Sequence, residues 1–327
     1  MEKASQTPAL REFPPDYVIL SDDDDRNPHE QAIDRTMNTL KDYTLGFIGL
    51  GLMGRPMCLN LHRAGARLII HNRSQETARQ LERPGIVAVP SPAEVARSAN
   101  IILLMVADTP AVEQVLFGKS GLIEGVRENA LVIDMGTTAV VPTREFARRL
   151  NEAGAGYIDA PVSGGEIGAI DGTLTIMAGG DSESIQRALP LFGVLGAKFT
   201  HVGDVGAGQI AKAANQIIVG LNIGAVAEAL ALAKSAGADP AKVRAALMGG
   251  FAGSRILEVH GQRMIEENFK AGGKITTQHK DLIQALELAA LCGLDLPATK
   301  LNTQLYKSLI DQGLGNLDHS ALIKALK

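Results

Sequence analysis

From residue 45 to residue 202 the chain alternates short β-rich runs with stretches whose apolar residues recur every three to four positions. After Gly203 the β signal stops and the pattern reads as helix to Lys327. The β-rich runs are 45–50, 67–71, 86–89, 100–106, 130–135, 157–160, 173–178 and 198–202, and helical spacing is evident at 56–64 and 109–117. Strands that alternate with helices form a mostly parallel sheet, because each crossover returns the chain to the same end. The expectation is an α/β N-terminal domain followed by an all-α C-terminal domain. The length of 327 residues fits two domains of about 150 residues each. The boundaries read as 43–204 and 205–327, behind an extension at 1–42.

That extension has no sustained apolar period, contains Pro14-Pro15 and the run 22–25 of four Asp, and is expected to be disordered. It lacks the basic start and apolar run of a secretory signal and is too acidic for a transit peptide. Residues 1–42 carry ten Asp/Glu against five Lys/Arg, so with a whole-chain charge of −4 the remaining 285 residues sum to +1. A nearly neutral body with 4% aromatics and no Trp gives no support for nucleic-acid or anionic-membrane binding. Two cysteines in separate apolar stretches, Cys58 and Cys292, argue for a reducing, cytoplasmic setting over a disulfide.

A long helix at 208–235 would span roughly 40 Å, enough to join the two domains. Its stretch 213–233 is apolar enough to resemble a membrane span, but Asn215, Gln216, Asn222 and Glu228 interrupt it. A buried helix of a soluble protein is the better reading, with Gly220 and Gly224 as close-packing positions.

The segment Gly49-Leu50-Gly51-Leu52-Met53-Gly54 matches G-x-G-x-x-G, follows an apolar strand and opens a helical run. In that context Gly49 permits the tight turn and Gly51 lets the backbone approach a pyrophosphate. Gly54 allows close helix–strand packing, and free N–H groups face the phosphates. The α/β domain is therefore Rossmann-type. The second strand ends in His71-Asn72-Arg73-Ser74, where an NAD-preferring site places a carboxylate on the ribose hydroxyls. Asn72 removes the charge that would repel a 2′-phosphate, while Arg73 and Ser74 supply a cation and a donor. NADP(H) is the favoured cofactor. Arg73 stacked only on the adenine, with NAD(H) also used, is the alternative.

Two further segments suit a small carboxylate substrate. Ser163-Gly164-Gly165 offers a hydroxyl and backbone N–H groups, although a structural turn would look the same. Lys212 and Asn215 share a face of the long helix, where a lysine is either a catalyst or a snorkelling rim residue. The seven histidines form no ligand spacing, so no metal is expected, and His319 reads as a surface residue.

The stretches 46–57 (GFIGLGLMGRPM), 159–165 (DAPVSGG), 171–174 (DGTL) and 206–215 (GAGQIAKAAN) resemble the β-hydroxyacid dehydrogenases, from Leu45 to the C-terminus. The resemblance implies an NAD(P)-dependent dehydrogenase, or semialdehyde reductase, acting on CH–OH groups. It implies Lys212 as catalytic acid, Asn215 as the polar residue one turn on, and Ser163, Gly164 and Gly165 as the carboxylate loop. It also implies Met105 and Val106 beside the adenosine and nicotinamide ribose, Thr137 near the nicotinamide, and Lys280 closing over the cofactor. Gly136 stands where relatives often carry Ser, and Asn72 where close relatives carry Asp. Within the family, the segments 163–166 (SGGE), 249–254 (GGFAGS) and 315–321 (GNLDHSA) most resemble those of members that reduce tartronate semialdehyde (2-hydroxy-3-oxopropanoate) to D-glycerate, and the resemblance implies that reaction. Oxidation of 3-hydroxyisobutyrate and reduction of succinate semialdehyde or glyoxylate are the alternatives, and a non-catalytic NADP-binding scaffold is one of another class. The family further suggests a homo-oligomer, a dimer or tetramer.

Overall fold

The computed structural model describes residues 39–326. The expectation for the acidic segment at 1–38 lies outside these residues. At 39–42 it is corrected: Leu40 is fully buried and its N–H donates to the Ala64 carbonyl. A lone leucine in a tight turn carries no period, so sequence patterning passes over it.

Nine strands form one sheet in the order β3-β2-β1-β4-β5-β6-β8-β7, with β9 beside β8. They are β1 Thr44–Ile48, β2 Arg67–His71, β3 Ile86–Ala88, β4 Ile101–Leu104, β5 Leu131–Asp134, β6 Gly156–Asp159, β7 Val162–Ser163, β8 Leu174–Gly179 and β9 Gly196–Gly203. The first six strands run parallel, and β8 meets β6 and β7 antiparallel. The central strands read as continuous apolar runs (IILL in β4, LVID in β5) because helices cover both faces.

On one face lie α1 Gly54–Arg63, α6 Gly165–Asp171 and α7 Ser182–Leu195, which bury Met57, Leu61, Ala169 and Phe192. On the other lie α3 Pro92–Ser98, α4 Thr109–Phe117 and α5 Val140–Glu152, which bury Val95, Leu116 and Phe146. The short α2 Gln75–Arg79 links β2 to β3. Serine and aspartate caps start several helices: Ser91 accepts from Glu94 N–H and Asp108 from Ala111 N–H. Both cysteines are free thiols, and burial pushes the Cys58 thiol up to about 12.

After β9 the chain enters α8 Ala207–Ser235, and α9 Pro240–Leu247, α10 Arg255–Ile265, α11 Ile275–Leu291 and α12 Pro297–Asp311 follow. Their core holds Ile223, Leu230, Leu257, Leu282, Tyr306 and Leu322. Among the described residues α8 alone has the length and hydropathy of a membrane span. One side of it nevertheless buries the polar Gln209, Lys212 and Gln216, while Ile210, Ile218 and Leu232 face outward. Glycine permits the close crossings: a Cβ on Gly220 would lie 2.9 Å from Gln278 Nε2, and one on Gly224 2.8 Å from Asn302 Nδ2.

The start of α8 crosses the sheet more closely still. A Cβ on Gly208 would sit 2.5 Å from the Asp159 carbonyl and 2.6 Å from that of Met177. Both are strand backbone with nowhere to retreat. Gly208→Ala is therefore expected to cost about 1–3 kcal/mol, read as a fall of several degrees in Tm; an unchanged Tm would refute this packing.

Candidate active site

The glycine loop follows β1 at the point where the strand order reverses, the place where open α/β sheets bind ligands. Each glycine has its own reason. Gly49 adopts φ +99°, and a Cβ there would lie 2.3 Å from the Met105 carbonyl; a Cβ on Gly54 would lie 1.9 Å from the Gly49 carbonyl. Around Gly51 nothing comes within 4 Å, so its side toward a ligand is open. No side chain caps the N-terminus of α1 and no acidic residue sits in its first turn; Arg55 N–H is taken by the Gly51 carbonyl and Pro56 has none, so an anion is met by Gly54 N–H and the loop before it. A dinucleotide pyrophosphate fits this cradle. Leu50, Leu52 and Met53 complete the loop, with Leu52 exposed.

Asn72 is drawn into the loop rather than toward a ribose. Its Oδ1 accepts from Leu50 N–H at 2.9 Å and its Nδ2 donates to the Ser74 carbonyl. Arg73 and Ser74, which follow Asn72, are both exposed. Met105 and Val106 leave β4 beside Gly49, with Met105 N–H still donating to the Ile48 carbonyl.

The turn after β5 is built around Asp134, whose carboxyl is fully buried. Oδ1 accepts from Gly136 N–H, and Oδ2 from the Thr138 hydroxyl and the Tyr157 phenol. Burial pushes this carboxyl up to about 6 against those hydrogen bonds. A Cβ on Gly136 would lie 3.0 Å from the Val106 carbonyl and 3.1 Å from Asp134 Oδ1, so a serine there requires the Val106 backbone to move. Thr137 carries the next contact: its carbonyl accepts from Lys280 Nζ at 2.8 Å, reaching over from α11.

On the neighbouring strand Asp159 performs a similar task for the long helix. Its Oδ1 accepts from Gly206 N–H at 2.7 Å and its Oδ2 from Gln209 N–H at 2.8 Å, closing the N-terminus of α8. Burial pushes it up to about 7, with the Asp134 charge adding to the effect. Lys212 follows within α8, 7% exposed, and its Nζ donates to the Val162 carbonyl at 2.8 Å. The lysine thus meets β7 immediately before Ser163. Gly164 and Gly165 both hold positive φ, +135° and +63°, as the chain turns into α6. The two-residue β7 was not expected from sequence, since it is too short to show alternation.

Lys212 is buried, against the alternative of a snorkelling rim residue. Burial lowers it to about 8; the Asp281 carboxylate opposes that shift and the Lys280 charge adds to it. Asp281 is buried and accepts from Gln216 Nε2, while Lys280 Nζ lies 2.9 Å from its other oxygen. Asn215 is half-buried and donates to Gln216 Oε1.

His319 is also corrected. It is half-buried, its ring meets His260 edge-on at 4.6 Å, and burial lowers it to about 3. Beside it Asp318 is fully buried. Burial alone would raise that carboxyl, but His260, Ser320, Gly272 and the His319 charge hold it well below the usual range. His260, Asp318 and His319 lie close enough to hold a cation. Yet Asp318 already accepts from Gly272, Gly273 and Ser320 and pairs with Arg263 at 2.9 Å. That leaves it no oxygen for a metal, and it serves to shape the 270–274 loop, whose Gly272 carbonyl faces Gly165. A cleft of about 740 Å³ between α4, α5 and α11 has Lys280 in its lining and does not touch His260, Asp318 or His319.

Sequence reasoning therefore missed Asp134, Asp159, Gln209, Asp281 and Asp318. An aspartate closing an apolar strand was the available signal for the first two.

Residues 44–203 match the family described as the NAD binding domain of 6-phosphogluconate dehydrogenase, and residues 206–326 that described as NAD-binding of NADP-dependent 3-hydroxyisobutyrate dehydrogenase. The chain is 50% identical to the 2-hydroxy-3-oxopropionate reductase of Escherichia coli (strain K12), over 86% of this chain and 97% of that protein. The 3-hydroxyisobutyrate dehydrogenase of Mycobacterium tuberculosis, solved with L-serine, superposes with a TM-score of 0.79 at 29% identity, covering 87% and 99% of the two chains. A structure titled Psf3 in complex with NADP+ and 2-OPP superposes with a TM-score of 0.80 at 25% identity, covering 87% and 100%. The Rossmann sheet, the helical half and these relatives together establish that the chain belongs to the 3-hydroxyisobutyrate dehydrogenase type of β-hydroxyacid dehydrogenases, NAD(P)-dependent enzymes that act on CH–OH groups.

Proposed function

We propose that the chain is an NADPH-dependent reductase of tartronate semialdehyde, giving D-glycerate. The observation that carries the reading is Lys212, a buried ammonium held at the Val162 carbonyl beside the Ser163-Gly164-Gly165 turn. Its hydrogen bond to Val162 uses one of three N–H donors and leaves two for a substrate oxygen. Half-identity to a 2-hydroxy-3-oxopropionate reductase supports this substrate over other short semialdehydes.

The nicotinamide supplies a hydride when bound, and the protein supplies everything else. The Ser163 hydroxyl and the Gly164 and Gly165 N–H groups hold the carboxylate, and Asn215 orients the aldehyde oxygen. As charge grows on that oxygen, Lys212 stabilises it and then transfers a proton. The aldehyde carbon gains the hydride and becomes the primary alcohol, and solvent returns the proton to the lysine. Thr137 and Lys280 flank the nicotinamide seat. A lysine lowered to about 8 remains mostly charged at pH 7 and is a better acid than an ordinary one.

Reduction needs charged Lys212, so its kcat is expected to fall as pH rises through about 8, and oxidation of D-glycerate to improve over the same range. Lys212→Ala should lower kcat by about 10²–10⁴-fold with NADPH affinity retained. Steady-state rates across pH check both; an undiminished kcat in the variant would sink the assignment.

Substrate identity is tested by kcat/KM for tartronate semialdehyde, methylmalonate semialdehyde, succinate semialdehyde and glyoxylate with NADPH and NADH. Tartronate semialdehyde with NADPH is expected to lead by about tenfold or more, or 1.4 kcal/mol. A lead by another aldehyde overturns the substrate and leaves the family intact.

The NADP preference rests on the neutral Asn72 and the exposed, fixed charge of Arg73. Arg73→Ala should reduce kcat/KM for NADPH by about 10–100-fold, the worth of one charge-assisted hydrogen bond, and leave NADH unaffected. An equal loss with both cofactors would point to adenine stacking instead. Free Cys58 and Cys292 support a cytoplasmic setting. Outward-facing Ile210, Ile218 and Leu232 on α8 support a homo-oligomer, dimer or tetramer.

A further inference from the structure

We infer that Gln209 is a positioning residue that fixes the nicotinamide seat at Thr137 relative to the Lys212 ammonium. Gln209 is 2% exposed and lies one helical turn before Lys212, on the same face of α8. Its side-chain amide pairs with backbone like a neighbouring strand. Nε2 donates to the Gly136 carbonyl at 2.9 Å, and Oε1 accepts from Thr138 N–H at 3.1 Å. The two bonds straddle Thr137, whose carbonyl is held by Lys280 from α11. Gln209 is itself fixed, because its backbone N–H donates to Asp159 Oδ2. The turn is also held from below, where Asp134 accepts from Gly136 N–H and the Thr138 hydroxyl.

One rigid path thus runs from the end of β6 through the first turn of α8 to the turn after β5. Hydride and proton must reach two adjacent atoms of one carbonyl, so the spacing between the Thr137 turn and Lys212 decides whether a bound pair is reactive. A misplacement of about 1 Å costs about 100-fold in such a step. The pyrophosphate cradle lies elsewhere, at Gly49–Gly54, so Gln209 governs the chemical step and leaves cofactor affinity alone. This inference rests on the reading of Lys212 as the proton donor.

The test compares wild type with Gln209→Ala and Gln209→Glu, using the aldehyde that the wild-type enzyme turns over best. For Gln209→Ala the expectation is a kcat lower by about 10–100-fold, a Kd for NADPH within about twofold, and a larger primary isotope effect with 4-deuterated NADPH. Gln209→Glu supplies a pH signature, read at a temperature where both proteins are fully folded at every pH, since a buried glutamate also lowers stability as pH rises. A carboxylate there still accepts from Thr138 N–H but repels the Gly136 carbonyl, whereas the protonated acid donates to it. Burial and the flanking Asp134 and Asp159 carboxyls raise the pKa of a glutamate at this position, while Lys212 and Lys280 oppose them. The ratio of variant to wild-type kcat should therefore rise as pH falls; titrations that both proteins share cancel in the ratio.

A Gln209→Ala enzyme with wild-type kcat overturns the inference, as does a loss explained wholly by weaker NADPH binding. Should Gln209→Ala not fold, a pH-independent ratio for Gln209→Glu overturns it equally. A wild-type chain that turns over no aldehyde, or a Lys212→Ala enzyme with undiminished kcat, removes the underlying reading and this inference with it. Wild-type turnover with a Lys212 requirement and an indifferent Gln209 removes the inference alone.

Discussion

The carboxyl of Asp159 is the joint on which the molecule turns. It ends a parallel strand inside the sheet and accepts the Gly206 and Gln209 N–H groups that open α8. A helix N-terminus carries partial positive charge and unsatisfied donors, so a buried acceptor there sets both where the helix begins and where it points. The crossing is tight enough to exclude side chains. A Cβ on Gly179 would lie 2.7 Å from Asp159 Oδ1, and one on Gly208 2.9 Å from Asp159 Oδ2. With entry and direction fixed, Lys212 comes to lie at the Val162 carbonyl. The long helix then carries that geometry into the α-half, where Gln216 meets Asp281.

Charge is arranged along the same line. Asp134 and Asp159 are paired across β5 and β6, so two carboxyls share one low-dielectric layer, and burial raises both. Neither is exposed to substrate. Their shifted equilibria are the consequence of serving as buried acceptors for the turns that build the site. Lys212 lies on the outer side of that layer with burial lowering it and Asp281 opposing. The two carboxyls and the Lys212 ammonium thus differ in what surrounds them, not in depth alone.

The fold was readable because its signals are local. Apolar strand runs, helix caps and the glycine motif each declare themselves within about ten residues, and α4 falls on the residues its spacing predicts, 109–117. Strands read slightly long where the chain keeps its apolar character past the ladder: the run 100–106 ends as a strand at Leu104, although Met105 N–H still bonds to Ile48. The site was readable only where it reuses such local motifs. Gln209 contacts residues more than 70 positions away, and Asp318 holds Gly272 at a separation of 46. Nothing in a glutamine or an aspartate among neutral neighbours announces a partner at that distance. At Asn72 the sequence shows the missing carboxylate, but not that Oδ1 accepts from Leu50 N–H, a pair that only the folded loop brings together.

Specificity within such a site falls to the parts least bound to the frame. The 163–165 loop rises from a two-residue strand, and its glycines hold backbone conformations that larger residues resist. Opposite it, the 270–274 loop is held by the Asp318 carboxyl at Gly272 and Gly273, by His319 N–H at the Gly273 carbonyl and by Arg263 at the Lys270 carbonyl. The Gly272 carbonyl approaches Gly165 across the gap, and the His319 ring lies against Gly273. Substitutions in the 270–274 loop leave the bonds of Asp159, Gln209 and Lys212 in place, since none of the three bonds to it. Because the frame and the walls hang from different anchors, one arrangement of hydride and proton delivery can serve several short oxo acids. The choice among them rests on a few contacts at the two loops, each worth about 1–3 kcal/mol.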